Sequence, residues 1–516
     1  MADALLAETA QGAVRGRALA DGGRLFAGLP FAVPPVGELR FRPPQPPARW
    51  TGVREADGFG PAPAQGTSAL MTLMRDAASA AAAAAAFPTG DITVTSEDCL
   101  YLNVWSPSGP DGDAPRPVIV WFYGGGFEAG SAAPPYSDGA VLARQTGAVV
   151  VTANYRLGAF GFLHLADFGD AWAGCTNFAL QDQVAVLRWV RENISAFGGD
   201  PNTVTAAGQS AGAFCIGALL AVPAAAGLFH RAILLSGSTS RIFDRETAVS
   251  MAEDLLAILR LDDADGLADV PASQILDAQA AISSGDIGSR NLPGGRAWGV
   301  VLDGQVLPRD PHQAVAAGAA AHIPLLVCST HDEVRVFQLL AGESFRPADE
   351  ASLHTEMRQA GITEPAELVE AYRRRVAEPD DLSALRCAFL SDAVFRLPVV
   401  RLARAQAEAG GRAYHSILLD APCGPEVGAF HGADLIYLFD KLAFVDADTA
   451  EHRSVRDALT RAWATFAATG DPGWPTYEPD AAGNSRAMTA PAHGVGAMVT
   501  EPPLDDVTAL WPAEPS

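Results

Sequence analysis

The sequence predicts an α/β protein in which a large, mostly parallel sheet is covered by helices on both faces. Three observations carry that expectation. Short apolar or β-branched runs alternate with longer helical stretches along most of the chain. The strand candidates are Val118 to Phe122, Val149 to Ala153, Thr203 to Ala207, Ile233 to Leu235, Pro324 to Cys328 and Tyr414 to Leu419, and runs of this kind suit strands buried on both faces. Between the second and third strands, Leu180, Val184, Leu187 and Ile194 fall on one face of a helix. That helix is expected to end before Phe197-Gly198-Gly199, where glycines permit the chain to reverse into the next strand.

Before the first of these strands, Ala77 to Ala86 is nearly pure alanine, a strong helix former with little side chain to pack, and reads as a surface spacer helix or as a flap beside a pocket. Residues about 241–296 and 339–403 read as amphipathic helices, insertions of the kind that roof active sites. No repeat and no Ser/Gly or Pro linker divides the chain, so residues 1–516 are expected to form one large domain carrying these helical insertions.

Composition narrows the function. With 516 residues, 49% hydrophobic and 8% aromatic, the chain can bury a large core. Thirty-six Lys and Arg against 60 Asp and Glu give a formal net charge of -24, which repels nucleic acid and anionic membrane surfaces. The N-terminal Met1-Ala2-Asp3-Ala4-Leu5-Leu6 has an acid where an export signal needs positive charge, and no stretch approaches a membrane span. The six cysteines are scattered, with no CxxC pair and no metal-ligand spacing. These features lead to the expectation of a cytoplasmic protein with reduced thiols and no nucleic-acid or membrane partner; they leave the oligomeric state open.

The chemistry-bearing segments point to a serine nucleophile. Gly208-Gln209-Ser210-Ala211-Gly212 fits the G-x-S-x-G elbow, with a strand before it and an apolar helix after it. The sharp strand-to-helix turn needs small flanking residues and lifts the hydroxyl of Ser210 clear of the sheet. Serine requires a base and a group that orients the base, and in this architecture they follow in the order acid, then histidine. Of the ten histidines, His431 lies in the glycine-flanked loop Gly428 to Gly432 after a strand, whereas His415 lies within the strand and reads as structural. The acid is expected just after the run ending at Val327, where Asp332 and Glu333 are adjacent and spacing leaves either open. Tyr123-Gly124-Gly125-Gly126-Phe127 leaves another strand and offers bare backbone N–H groups to an oxyanion. It lacks the G-x-G-x-x-G and GK[ST] patterns of nucleotide loops.

Together these segments resemble the type-B carboxylesterases and cholinesterases, a family that includes bacterial p-nitrobenzyl esterases. The resemblance extends through Phe31 to Phe41, Ser96-Glu97-Asp98-Cys99-Leu100-Tyr101-Leu102-Asn103-Val104-Trp105, Asn154 to Phe162, Phe197 to Pro201, the elbow, the Asp332-Glu333 pair and Gly428 to Asp434. It implies the α/β-hydrolase fold and a two-step acyl transfer without cofactor or metal. It also implies Glu333 as the triad acid, His431 as the base, and the backbones of Gly125, Gly126 and Ala211 as oxyanion donors. Ser236 and Gln209 would support the triad from behind, and Arg40 with Glu97 and Arg156 with Asp182 would be buried ion pairs.

Four departures from the family pattern bear on substrate. Gln209 stands where many members have glutamate, and Tyr123 opens the glycine loop where most carboxylesterases have histidine. Cys99 matches a cysteine that secreted relatives bridge to an upstream partner, a place held here by Pro63 or its neighbours. No tryptophan lies between Trp50 and Trp105, the stretch in which cholinesterases hold a quaternary ammonium group. Uncharged esters are therefore the expected substrates. An acyltransferase and a non-catalytic binding relative of the same fold are the rivals; such binding relatives lose triad members, and this chain keeps them all.

Overall fold

Among the described residues, eleven strands make the central sheet. In chain order they are β1 (Arg17–Ala18), β2 (Arg24–Pro30), β3 (Tyr101–Ser106), β4 (Arg116–Phe122), β5 (Val149–Ala153), β6 (Gly199–Gln209), β7 (Arg231–Leu235), β8 (Leu325–Thr330), β9 (Ala413–Leu418), β10 (Ser485–Met488) and β11 (Met498–Val499). The computed structural model describes residues 5–66, 94–108, 114–135, 137–283, 285–489, 496–501 and 506–512. The alanine-rich segment Ala77 to Ala86 lies outside the described residues.

The strands lie in the order β11-β10-β9-β8-β7-β6-β4-β5-β3-β2-β1. Pairing is parallel from β5 through β10 and antiparallel at both edges. All six strand candidates fall on strands of this parallel region, with ends that differ by a few residues. The central strands are apolar throughout because both faces are covered. Val118, Val120, Val204, Ala206, Leu234 and Val327 enter the core on one face, while Ile119, Trp121, Ala207, Ile233, Leu326 and Cys328 enter it on the other.

Helix α1 (Phe178–Asn193) packs on the first face through Leu180, Val184, Leu187 and Val190. A 3₁₀ turn, Ile194–Phe197, follows it and ends at Gly198, whose φ of 86° is the left-handed conformation that the glycine permits. Beyond β6 comes α2 (Ala211–Leu219), every residue of which is buried. The second face is covered by α3 (Ala450–Thr469), with Trp463 and Phe466 inward.

Helices Arg245–Leu259, Ala272–Ile282 and Ile287–Asn291 lie between β7 and β8, and those running from Arg335–Ala341 to Leu397–Glu408 lie between β8 and β9. Because β4, β6, β7, β8 and β9 run in parallel, the loops leaving their carboxyl ends gather at one edge of the sheet, where ligands bind in open α/β sheets. Among the described residues, no helix is long and apolar enough to cross a membrane.

Candidate active site

Ser210 stands at the turn from β6 into α2 with φ 52° and ψ -122°. A non-glycine residue rarely adopts such a backbone, and its neighbours hold it there. Its N–H donates to the Leu235 carbonyl at 2.8 Å, and its carbonyl accepts from Phe214 N–H at 2.9 Å. The flanking glycines are required by close approach. A Cβ on Gly208 would come within 2.8 Å of the Phe122 carbonyl and of the Gly212 backbone, and one on Gly212 would run into Phe122.

Two residues that are far apart in the chain meet beside this turn. His431 Nδ1 lies 2.6 Å from Glu333 Oε2, and both side chains are buried. The other oxygen, Oε1, accepts from Ser236 Oγ at 2.6 Å and from Thr330 N–H at 2.8 Å. These donors occupy Oε1 and leave Oε2 to the imidazole. The His431 ring packs against Phe395 and Phe337, with centroids 4.4 and 5.6 Å away.

The adjacent carboxylate does something else. Asp332 accepts from Ala429 N–H at 2.9 Å and lies 2.9 Å from His331 Nδ1, partly exposed. Its backbone N–H donates to the Ala429 carbonyl at 2.9 Å, and it bridges to Phe430. Asp332 thus ties down the loop that carries the imidazole without reaching the ring.

Ser210, His431, Gly125 and Gly126 line one cleft of about 970 Å³, counted with its open mouth. Gly125 and Gly126 have φ of 127° and 64°, so the loop after β4 can turn beneath the cleft. Ala211 opens α2, where the first N–H groups have no intrahelical acceptor. Behind the cleft, Gln209 is fully buried and its Nε2 is 3.1 Å from His431 Nε2. Tyr123 stacks on Tyr155, ring centroids 4.7 Å apart.

Both ion pairs are formed: Arg40 on Glu97 at 2.7 and 2.5 Å, and Arg156 on Asp182 at 2.8 and 2.7 Å. His415 lies within β9 with Nδ1 2.8 Å from Ser485 Oγ, and burial pushes its pKa down to about 3. All six cysteines are free. Among the described residues, no cluster of His, Cys, Asp or Glu could hold a metal ion.

Several cleft residues escaped sequence reasoning. Glu128, Arg241, Asp286 and Arg290 put charge into the wall, and Phe337, Phe345 and Phe395 supply its apolar side. Asp434 is buried next to the site, and burial together with the Glu333 charge pushes its pKa up to about 7. For Asp434 a signal existed, since it closes the Gly428 to Asp434 motif.

A model of the carboxylesterase family matches residues 3–488. The para-nitrobenzyl esterase of Bacillus subtilis (strain 168) is 36% identical over 466 residues, 88% of this chain and 88% of its own length. A solved para-nitrobenzyl esterase structure is similar with TM-score 0.84 at 33% identity, covering 98% of this chain and 99% of that one. A carboxylesterase of Geobacillus stearothermophilus is similar with TM-score 0.81 at 36% identity, covering 98% and 100%.

Proposed function

Starting from the fact that this chain belongs to the carboxylesterase family and hydrolyses carboxylic esters, we propose that the reaction runs through an acyl-enzyme on Ser210, with His431 as base and Glu333 as its orienter. The 2.6 Å contact between His431 Nδ1 and Glu333 Oε2 carries this reading. A proton held on Nδ1 by the carboxylate leaves Nε2 with a lone pair, the atom that takes the Ser210 proton as Oγ attacks the ester carbonyl. The backbone N–H groups of Gly125, Gly126 and Ala211 receive the oxyanion. His431 returns the proton to the departing alcohol. Water, deprotonated by the same nitrogen, then attacks the acyl carbon; the bond to Ser210 Oγ breaks, His431 passes its proton to Oγ, and the carboxylic acid leaves. Ser236, donating to Glu333, fixes the position of that carboxylate.

Residues 1–516 act in this reading as one catalytic domain. The segments 241–296 and 339–403 roof it, in keeping with the places of Arg241, Asp286 and Arg290 from one and Leu340, Phe345 and Phe395 from the other around the cleft. The two arginines in the wall disfavour quaternary ammonium esters, in accord with the missing tryptophan.

Stopped-flow hydrolysis of 4-nitrophenyl butyrate tests the mechanism. A burst of nitrophenol equal to the enzyme concentration is expected, with a butyryl adduct on the peptide containing Ser210. Turnover without either an adduct or dependence on Ser210 would overturn it.

A further inference from the structure

The wall of the cleft carries a cation that the ester chemistry described above does not use. Arg241 lies just after the β7 loop that bears Ser236, and it lines the cleft together with Ser210 and His431. Its Cζ stands 5.2 Å from the Phe127 ring centroid and 5.6 Å from that of Phe214. Its Nε is shut off from solvent and has no hydrogen-bond partner among the described residues. The residue has φ 62°, a left-handed backbone that costs an L-residue roughly 1 kcal/mol or more.

The other charges of the wall are matched more closely. Glu128 is bound by Arg290. Asp286 lies 2.6 Å from Arg386, which also holds Glu356 at 2.6 Å. Burial first, and then the neighbouring Arg290, push the pKa of Arg241 down to about 9, with Glu128 opposing. The guanidinium is therefore still charged at neutral pH, and its desolvation is poorly compensated. A second group with an acceptor oxygen would relieve that cost.

Resting on the acyl-enzyme reading above, we propose that Arg241 forms a carboxylate subsite, so that, against the sequence expectation of uncharged esters, this enzyme favours esters bearing a carboxylate a few carbons from the scissile bond. The guanidinium fork matches a carboxylate geometrically, and the aromatic rings of Phe127 and Phe214 hold it in place. The overall charge of -24 opposes the approach of an anion, but that field is largely screened beyond about 10 Å in 0.1 M salt. Inside the cleft the local cation decides.

The test uses isosteric pairs. Monoethyl glutarate is compared with ethyl 5-oxohexanoate, which replaces the carboxylate by a methyl ketone on the acyl side. On the alcohol side, 4-acetoxybutanoate is compared with 5-acetoxypentan-2-one. In at least one pair the kcat/KM ratio of anion to ketone is expected above one in 0.1 M salt, and Arg241→Met should lower that ratio about tenfold or more, the size of a charged hydrogen bond. Arg241→Lys should restore part of it.

Ratios at or below one in both pairs for the wild type would overturn the subsite, and so would a ratio that Arg241→Met leaves unchanged. If that variant does not fold, inhibition of wild-type 4-nitrophenyl butyrate turnover decides. Glutarate should compete at concentrations where chloride at equal ionic strength does not, and equal effects would overturn the proposal. Hydrolysis of 4-nitrophenyl butyrate that depends on Ser210, with no anion preference, would sink the subsite alone. Absence of that hydrolysis would sink the acyl-enzyme reading as well.

Discussion

Gln209 Nε2 lies 3.1 Å from Nε2 of His431, on the ring nitrogen opposite the one that faces Glu333. With the proton on Nδ1, that nitrogen accepts, and the buried carboxamide can donate to it. Such a donation occupies the nitrogen that, in the proposed mechanism, takes the Ser210 proton, so the carboxamide has to release it as Ser210 reacts. A carboxylate in the same place would favour the imidazolium.

Gln209→Glu should therefore move the acidic limb of the kcat/KM profile to higher pH. The profile is to be recorded from pH 5 to 9 with a neutral aryl ester. An unmoved limb in a folded variant would show that the amide is only packed against the ring.

Ser210→Ala should lower kcat by roughly 10⁴ to 10⁶. The fold should survive, because alanine keeps the Cβ and the backbone bonds to Leu235 and Phe214. Circular dichroism and an active-site titration separate the two effects; a folded variant that keeps a tenth of the rate excludes Ser210 as nucleophile.

The neighbouring carboxylates should separate cleanly. Glu333→Gln is expected to reduce turnover by several powers of ten, on the order of about 10⁴. Asp332→Asn should leave far more of kcat and instead destabilise the His431 loop by roughly 1 to 3 kcal/mol, because Ala429 loses a charged acceptor. Steady-state kinetics and urea unfolding of both variants would check this, and the reverse order of damage would refute the assignment.

Asp434 should make stability depend on pH. In the folded protein its carboxyl keeps the proton up to about pH 7, whereas in the unfolded chain it loses it near pH 4. The folded state binds more protons across that window, so this contribution to stability is lost as pH rises from about 4 through about 7 and is constant above. The Tm of Asp434→Asn relative to wild type should accordingly grow between pH 5 and pH 8, and a constant difference would count against the buried acid.

Much of the fold was legible because it is written locally. Apolar runs mark strands covered on both faces, and the glycines around Ser210 are forced by backbone contacts that no side chain could share. His431 could be found from its glycine-flanked loop and chain order. The choice between Asp332 and Glu333 could not be made from spacing, since it depends on how the chain turns after β8 ends at Thr330. Only the three-dimensional turn sends one carboxylate to Ala429 and the other inward to the imidazole. The charged wall was equally hidden: Glu128 and Arg290 are 162 positions apart, and no periodicity links residues that tertiary packing alone brings together.

The small bridge between Asp332 and Phe430 also bears on how such an enzyme can change over time. Glu333 and His431 are 98 positions apart, yet their loops are zipped together at the base, so the proposed acid and base share one frame anchored on β8 and β9. The long excursion between those strands leaves and re-enters the frame without interrupting it. Apart from Phe337 and Phe395, which pack on the His431 ring, its helices can lengthen, shorten or exchange residues facing the substrate while the proposed proton-transfer geometry stays fixed. New specificities can then arise by remodelling the excursion, without rebuilding the catalyst.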